Sequence, residues 1–182
     1  MSKIDKSIPF QPVRIAVLTV SDTRTPRTDK SGTLLGQMLT ESGHQLAEHA
    51  IAKDDIDDIR ATITRWAEDP NIDVVITTGG TGFTGRDVTP EAVRPLFDKE
   101  IDGFSTAFHM LSFDKVGTST IQSRACGGLI GNTYVFCVPG SPGACKDAWK
   151  GILQYQLDIR HKPCNFVELM PRLQEHLETT QA

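Results

Sequence analysis

The sequence predicts an α/β domain with helices on both faces of a mostly parallel sheet. Three observations carry that prediction. Apolar, β-branched runs recur at 13–20, 72–77 and 133–138; segments of helical period lie between them; and a long polar loop follows the first run and glycine-rich loops the other two. The 182 residues suffice for one domain of ordinary size, with no linker, repeat or low-complexity stretch. The expected division is a flexible N-terminal arm at 1–12, the domain at 13–166 and a C-terminal tail at 167–182.

Each element follows from its residues. Residues 1–12 are polar with two prolines and read as a loose arm. Val13 to Val20 is nearly continuous in apolar character, as in a strand covered on both faces. A long polar loop follows at 21–31, then a helix over 32–42 with Ser31 as its cap, Leu34, Leu35, Met38 and Leu39 on one side, and Gly43 as its stop. Residues 44–52 read as a weaker strand. Asp54 or Asp55 caps the next helix, whose Ile56, Ile59, Ile63 and Trp66 make one apolar face. The strand at 72–77 runs into Thr78-Gly79-Gly80-Thr81-Gly82, and Thr89 with Pro90 opens another helix. Phe104, Phe108 and Leu111 stand at helical spacing and read as core. Residues 118–125 suggest a short helix, and Gly127 to Asn132 a hairpin turn before the strand at 133–138. The last long helix buries Ala148, Ile152, Tyr155 and Ile159, and a short amphipathic turn lies around Leu173 and Leu177.

Composition removes several function classes. Hydrophobic residues are 38% and charged residues 23%, which is globular. With 19 basic and 23 acidic residues the formal charge is −4, which argues against a general nucleic-acid surface. No apolar run approaches a membrane span, and residues 1–12 hold neither the apolar core nor the cleavage site of a secretory signal, so a cytoplasmic protein is expected. Cys126, Cys137, Cys145 and Cys164 form no C-x-x-C pair and read as structural thiols; the five histidines form no H-E-x-x-H pattern.

The chemistry is expected beyond the carboxyl ends of the strands, where open α/β sheets bind ligands. Three loops there have unusual composition: 21–32, 77–82 and 139–143. Nine of the 15 glycines lie at 79–85, 127–131 and 140–143. Glycine lets a ligand approach backbone N–H groups, so such loops can cradle phosphate without a basic side chain. Turns alone would explain one glycine loop; three on one sheet edge favour a phosphate-bearing ligand. Neither G-x-G-x-x-G nor the P-loop pattern is present. Asp87 follows the glycine loop, and Asp54 and Asp55 follow the second strand at the same edge. Carboxylates beside phosphate call for a cation, and Mg²⁺ takes one or two carboxylates plus phosphate oxygens.

At this point the residues resemble the MoaB/Mog family of molybdenum cofactor biosynthesis. Val20-Ser21-Asp22, Ser31-Gly32, Thr77 to Gly82, Arg86-Asp87-Val88-Thr89-Pro90-Glu91 and Val138-Pro139-Gly140 carry the resemblance, which runs from about Val13 to Phe166. Residues 108–113, 117–125 and 163–166 resemble the MoaB branch. The resemblance implies a three-layer α/β/α fold, a homo-trimer or homo-hexamer, and molybdopterin as ligand. In the adenylyltransferase branch, molybdopterin phosphate attacks the α-phosphate of Mg-ATP. It implies catalytic, Mg²⁺-positioning roles for Asp87 and for Asp54, with Asp55 open because Lys53 replaces the family's proline. The Thr78 to Gly82 loop, with Pro139, Gly140, Ser141 and Pro142, is then expected to hold the pterin and its phosphate. Ser21, Asp22, Ser31, Gly32 and Ser119 are further substrate-binding candidates. Arg124 is left open between a phosphate contact and a structural ion pair. Two alternatives stand beside this one. One is a non-catalytic molybdopterin carrier. The other is a flavodoxin-like FMN module, disfavoured because the loops offer little aromatic surface beyond Phe83.

Overall fold

The computed structural model describes residues 3–175. Its strands are β1 (Lys3–Ile4), β2 (Arg14–Val20), β3 (Gln45–Ala52), β4 (Val74–Thr78), β5 (Lys99–Glu100), β6 (Cys126–Ile130), β7 (Thr133–Val138) and β8 (His161–Lys162). The helices are α1 (Lys30–Glu41), α2 (Ile56–Ala67), α3 (Thr89–Val93), α4 (Asp102–Val116), α5 (Pro142–Ala148) and α6 (Gln154–Gln156). A six-stranded sheet has the order β3-β2-β4-β7-β6-β5. β3, β2, β4 and β7 run parallel, while β6 pairs antiparallel with β7 and β5.

The alternation along β2 explains the layers. Ile15 and Val17 face one core with Leu35, Met38 and Leu39 of α1, Phe104 and Phe108 of α4, and Trp149. Ala16, Leu18 and Val20 face the other with Ile59, Ile63 and Trp66 of α2 and Val93 of α3. Successive strand residues point to opposite faces, so a strand buried on both sides must be apolar throughout. β3 lies on one side of β2 and β4 on the other. The strand order therefore reverses between β2 and β4, which puts the ligand crevice of such sheets at their carboxyl ends. No helix among the described residues is long and apolar enough to cross a membrane.

Several local expectations are corrected. The segment before Val13 is not loose throughout, since Lys3–Ile4 pairs with His161–Lys162. Asp29, not Ser31, caps α1: its carboxylate accepts from the Gly32 N–H, while the Ser31 hydroxyl donates to the Gly140 carbonyl. Asp55 caps α2 by accepting from the Asp57 and Asp58 N–H groups, which frees Asp54. Thr89 caps nothing; its hydroxyl donates to the Gly79 carbonyl at 2.9 Å. The expected helix at 118–125 is a 3₁₀ turn over Gly117–Gln122. In the last helix a π turn spans Trp149–Leu153. Its wider turn rotates the face that follows, so Trp149, Leu153 and Leu157 are buried beside Ala148, while Ile152, Tyr155 and Ile159 are not fully buried. Leu177 lies outside the described residues.

One buried group makes stability depend on pH. His44 packs against Phe10 and Trp149 and accepts the Val13 N–H on Nδ1. Burial pushes its pKa down to about 4, with Asp158 opposing. The neutral ring is therefore the folded form. Its contribution is complete above the ordinary histidine range and is lost as pH falls from about 6.5 through about 4. The loss is on the order of 2 kcal/mol after allowing for solvent screening. In His44→Phe this loss should vanish from thermal melts across that window, leaving a pH-independent offset from the unpaired Val13 N–H.

Candidate functional site

The crevice at the β2 and β4 ends is assembled by hydrogen bonds among its loops. The Gly79 N–H donates to the Val138 carbonyl at 3.1 Å, and the Thr78 hydroxyl to the Pro139 carbonyl at 3.0 Å. A Cβ added to Gly140 would stand 3.1 Å from the Gly79 Cα, so the 79–82 and 139–142 loops are in contact. Ser141 caps α5, with Pro142 in its first turn.

The glycines have specific duties. Gly79 and Gly80 have φ of +110° and +61°. A Cβ at Gly80 would lie 2.3 Å from the Thr89 hydroxyl and 3.2 Å from Asp54 Oδ1. One at Gly82 would lie 2.8 Å from Asp87 Oδ2. Asp54 and Asp87 thus both flank the glycine loop. The Asp87 carboxylate accepts from the Thr84 N–H and hydroxyl and interacts with the Gly82 N–H. With Gly79 and Gly82 so engaged, the N–H groups of Gly80 and Thr81 are the loop donors that no hydrogen bond among the described residues uses.

Asp22 and Asp54 are joined through their backbones. The Asp22 N–H donates to Asp54 Oδ2 at 2.9 Å, and the Asp54 N–H to Asp22 Oδ1 at 3.3 Å. Arg86 donates from Nε and a terminal nitrogen to the Asp22 carboxylate at 2.9 and 2.8 Å. That pairing holds the Asp22 carboxyl below the ordinary range. Burial pushes the Asp54 carboxyl up, and the nearby Asp22 and Asp87 charges push the same way against the Asp22 N–H bond. For Asp87 burial also pushes up, but the Thr84 bonds prevail and hold it low. The site therefore contains one acid whose charge is disfavoured beside another that stays ionised, which suits a cation between them and phosphate. Among the described residues no three metal-binding side chains converge. Two carboxylates with phosphate oxygens and water still make a Mg²⁺ donor set.

The raised Asp54 pKa fixes the sign of a mutational effect. Its ionised form is less stable in the fold than in the unfolded chain, so it costs stability at neutral pH. The cost fades as pH falls through the carboxylate range. Asp54→Asn should raise the melting temperature at neutral pH by about a degree or two, with no gain at acid pH.

The remaining candidates divide. Ser21 Oγ accepts from the Thr23 and Arg24 N–H groups and shapes its own loop. Ser31 and Gly32 are spent on the scaffold, Gly32 packing against Thr19, Asp29 and His49. Ser119 is exposed on the 3₁₀ turn, with no side-chain hydrogen bond to the three loops. Arg124 resolves to a brace: it donates to the Gly82 and Asp87 carbonyls at 2.8 Å each, pairs with Glu91, and stacks over Phe83. Arg86 and the cluster of Thr19 and His49 around the buried Asp29 carboxylate were missed from sequence. Their partners are remote in the chain, and only the Arg86-Asp87 adjacency offered a signal.

Residues 16–159 match a family described as "Probable molybdopterin binding domain". "Molybdenum cofactor biosynthesis protein B" of Escherichia coli (strain K12) is 48% identical over 160 residues, covering 88% of this chain and 94% of that protein. A crystal structure of a molybdenum cofactor biosynthesis protein B superposes with a TM-score of 0.82 at 41% identity, covering 91% of this chain and 98% of that one. The tungsten cofactor synthesizing protein MoaB from Pyrococcus furiosus gives 0.71 at 36%, covering 79% and 91%.

Proposed function

Because the chain belongs to the MoaB/Mog family of molybdenum cofactor biosynthesis proteins, we propose that it binds molybdopterin and adenylylates it with Mg-ATP. The observation that carries this reading is the pair Asp54 and Asp87 flanking the unclaimed Gly80 and Thr81 N–H groups. A phosphate oxygen of molybdopterin attacks the α-phosphorus of ATP. A new P–O bond forms, the bond to the bridging oxygen breaks, and pyrophosphate leaves. No protein nucleophile is needed, because orientation and charge stabilisation supply the rate.

The Gly80 and Thr81 amides hold the pterin phosphate, and the 139–142 loop walls the pterin. Asp54 and Asp87 hold Mg²⁺, with Asp22 and Arg86 fixing Asp54 in place. When bound, Mg²⁺ offsets repulsion between carboxylates and phosphates and the charge that develops on the leaving group. The expected result is pyrophosphate release from molybdopterin and Mg-ATP above a buffer control, abolished by chelation. Saturable pterin binding without release would sink catalysis and leave the carrier reading.

The same reading includes a homo-trimer or homo-hexamer. Met110, Phe113, Val116 and Ile121 are exposed apolar side chains on α4 and the turn after it, and they supply a surface for association. Sedimentation at 20.0 kDa would refute assembly.

A further inference from the structure

A groove of about 530 Å³ adjoins the Asp22–Asp54 pair and shares no lining residue with the glycine loop. Ala50, Ile51 and Ala52 line it, along with Arg24, Lys53 and His49. Lys53 has no part in the proposed adenylylation chemistry. Among the described residues neither Arg24 nor Lys53 forms an ion pair. Asp22 is the acid in the lining, and Arg86 already engages it.

The wall is built rather than accidental. The Asp29 side chain is 1% exposed and lies 2.9 Å from His49 Nε2. It also accepts from the Thr19 hydroxyl at 2.6 Å and the Gly32 N–H at 2.9 Å. A buried carboxylate bonded to three groups holds them in one geometry. Arg24 is anchored by its N–H to Ser21 Oγ and by its guanidinium to the Thr28 carbonyl.

We propose that this groove is an anion subsite for the diphosphate end of the nucleotide, with Arg24 and Lys53 as the charges that receive it. The proposal rests on the adenylylation reading, in which two phosphate-bearing ends meet at one phosphorus. The Gly80 and Thr81 amides can take one end. The other gains negative charge as its bond to the α-phosphorus breaks, and two unpaired cations beside Asp22 and Asp54 are placed to stabilise it.

The test is calorimetric titration of the full chain with inorganic pyrophosphate, without nucleotide or metal. Saturable binding is expected, weakened about fivefold in each of Arg24→Met and Lys53→Met. Lys150→Met, on the outer π turn, should bind as wild type does. Mg-ATP should displace pyrophosphate, and molybdopterin should not. No binding by wild type, unchanged affinity in both loop variants, or displacement by molybdopterin overturns the subsite. Both loop variants are exposed and should melt with wild type. The two readings fail separately. Variant-sensitive pyrophosphate binding without turnover removes adenylylation alone. Turnover with variant-insensitive binding removes the subsite alone.

Discussion

Replacing Asp87 with asparagine is expected to lower adenylylation turnover by about 10²- to 10³-fold while leaving molybdopterin affinity within about threefold. The substitution is chosen for what it keeps. Asparagine retains an oxygen for the Thr84 N–H and hydroxyl that close the 84–87 turn. Arg124 still grips the Gly82 and Asp87 carbonyls, so the loop should hold its shape. Only the charge goes. A charge that positions Mg²⁺ acts on the reacting phosphates and scarcely on the pterin, so the loss should fall on turnover. Equal losses in turnover and affinity would contradict the metal role. Asp54→Asn should show the same split together with its gain in melting temperature, a pairing expected where a site keeps an unfavourable charge for function.

Gly79→Ala is expected to be the most damaging single methyl group in the chain. The residue has φ +110°, where an L side chain is strained, and its added Cβ would lie 2.2 Å from the Val20 carbonyl oxygen. That oxygen is backbone and cannot rotate away. Gly79 is also pinned from the other side by its N–H bond to Val138. The cost should be about 3 kcal/mol or more, which for a domain of this size is a fall of roughly 10 °C in melting temperature. Gly85→Ala is the control, because a Cβ there meets nothing within 4 Å. It should melt within about two degrees of wild type. If Gly79→Ala did the same, the close packing of the β2 end against the glycine loop would be wrong.

The strands and most helices were legible because burial on both faces leaves a period-free apolar run, and burial on one leaves a stripe. Val13 to Val20 and the Ile59, Ile63, Trp66 face show this directly. The caps were not legible. Asp29 and Ser31 are both good caps, and the choice between them depends on Gly140, which lies 109 residues from Ser31. The buried stripe of the last helix failed for a related reason: a π turn shifts the period, and no residue in Trp149–Leu153 announces it. In the site, the glycine loop and both acids were readable from local composition. The choice of Asp54 over Asp55 became clear only once Asp55 was seen capping α2. Arg86 could not be placed, because its partner Asp22 is 64 residues away. Arg124 stayed ambiguous because an arginine beside a phosphate and one beside carbonyls look alike in sequence.

The bonds that tie the loops together have a thermodynamic consequence. Gly79 to Val138, Thr78 to Pro139 and Ser31 to Gly140 hold the crevice from three different elements. The backbone that meets the ligand is thus already in one conformation before anything binds. Freezing a mobile loop would cost about 1–2 kcal/mol per residue in lost disorder, and here most of that cost is met during folding. Ligand affinity should accordingly owe little to induced ordering, and the Gly79 amide, bonded to the Val138 carbonyl, should exchange with solvent slowly even in the free protein.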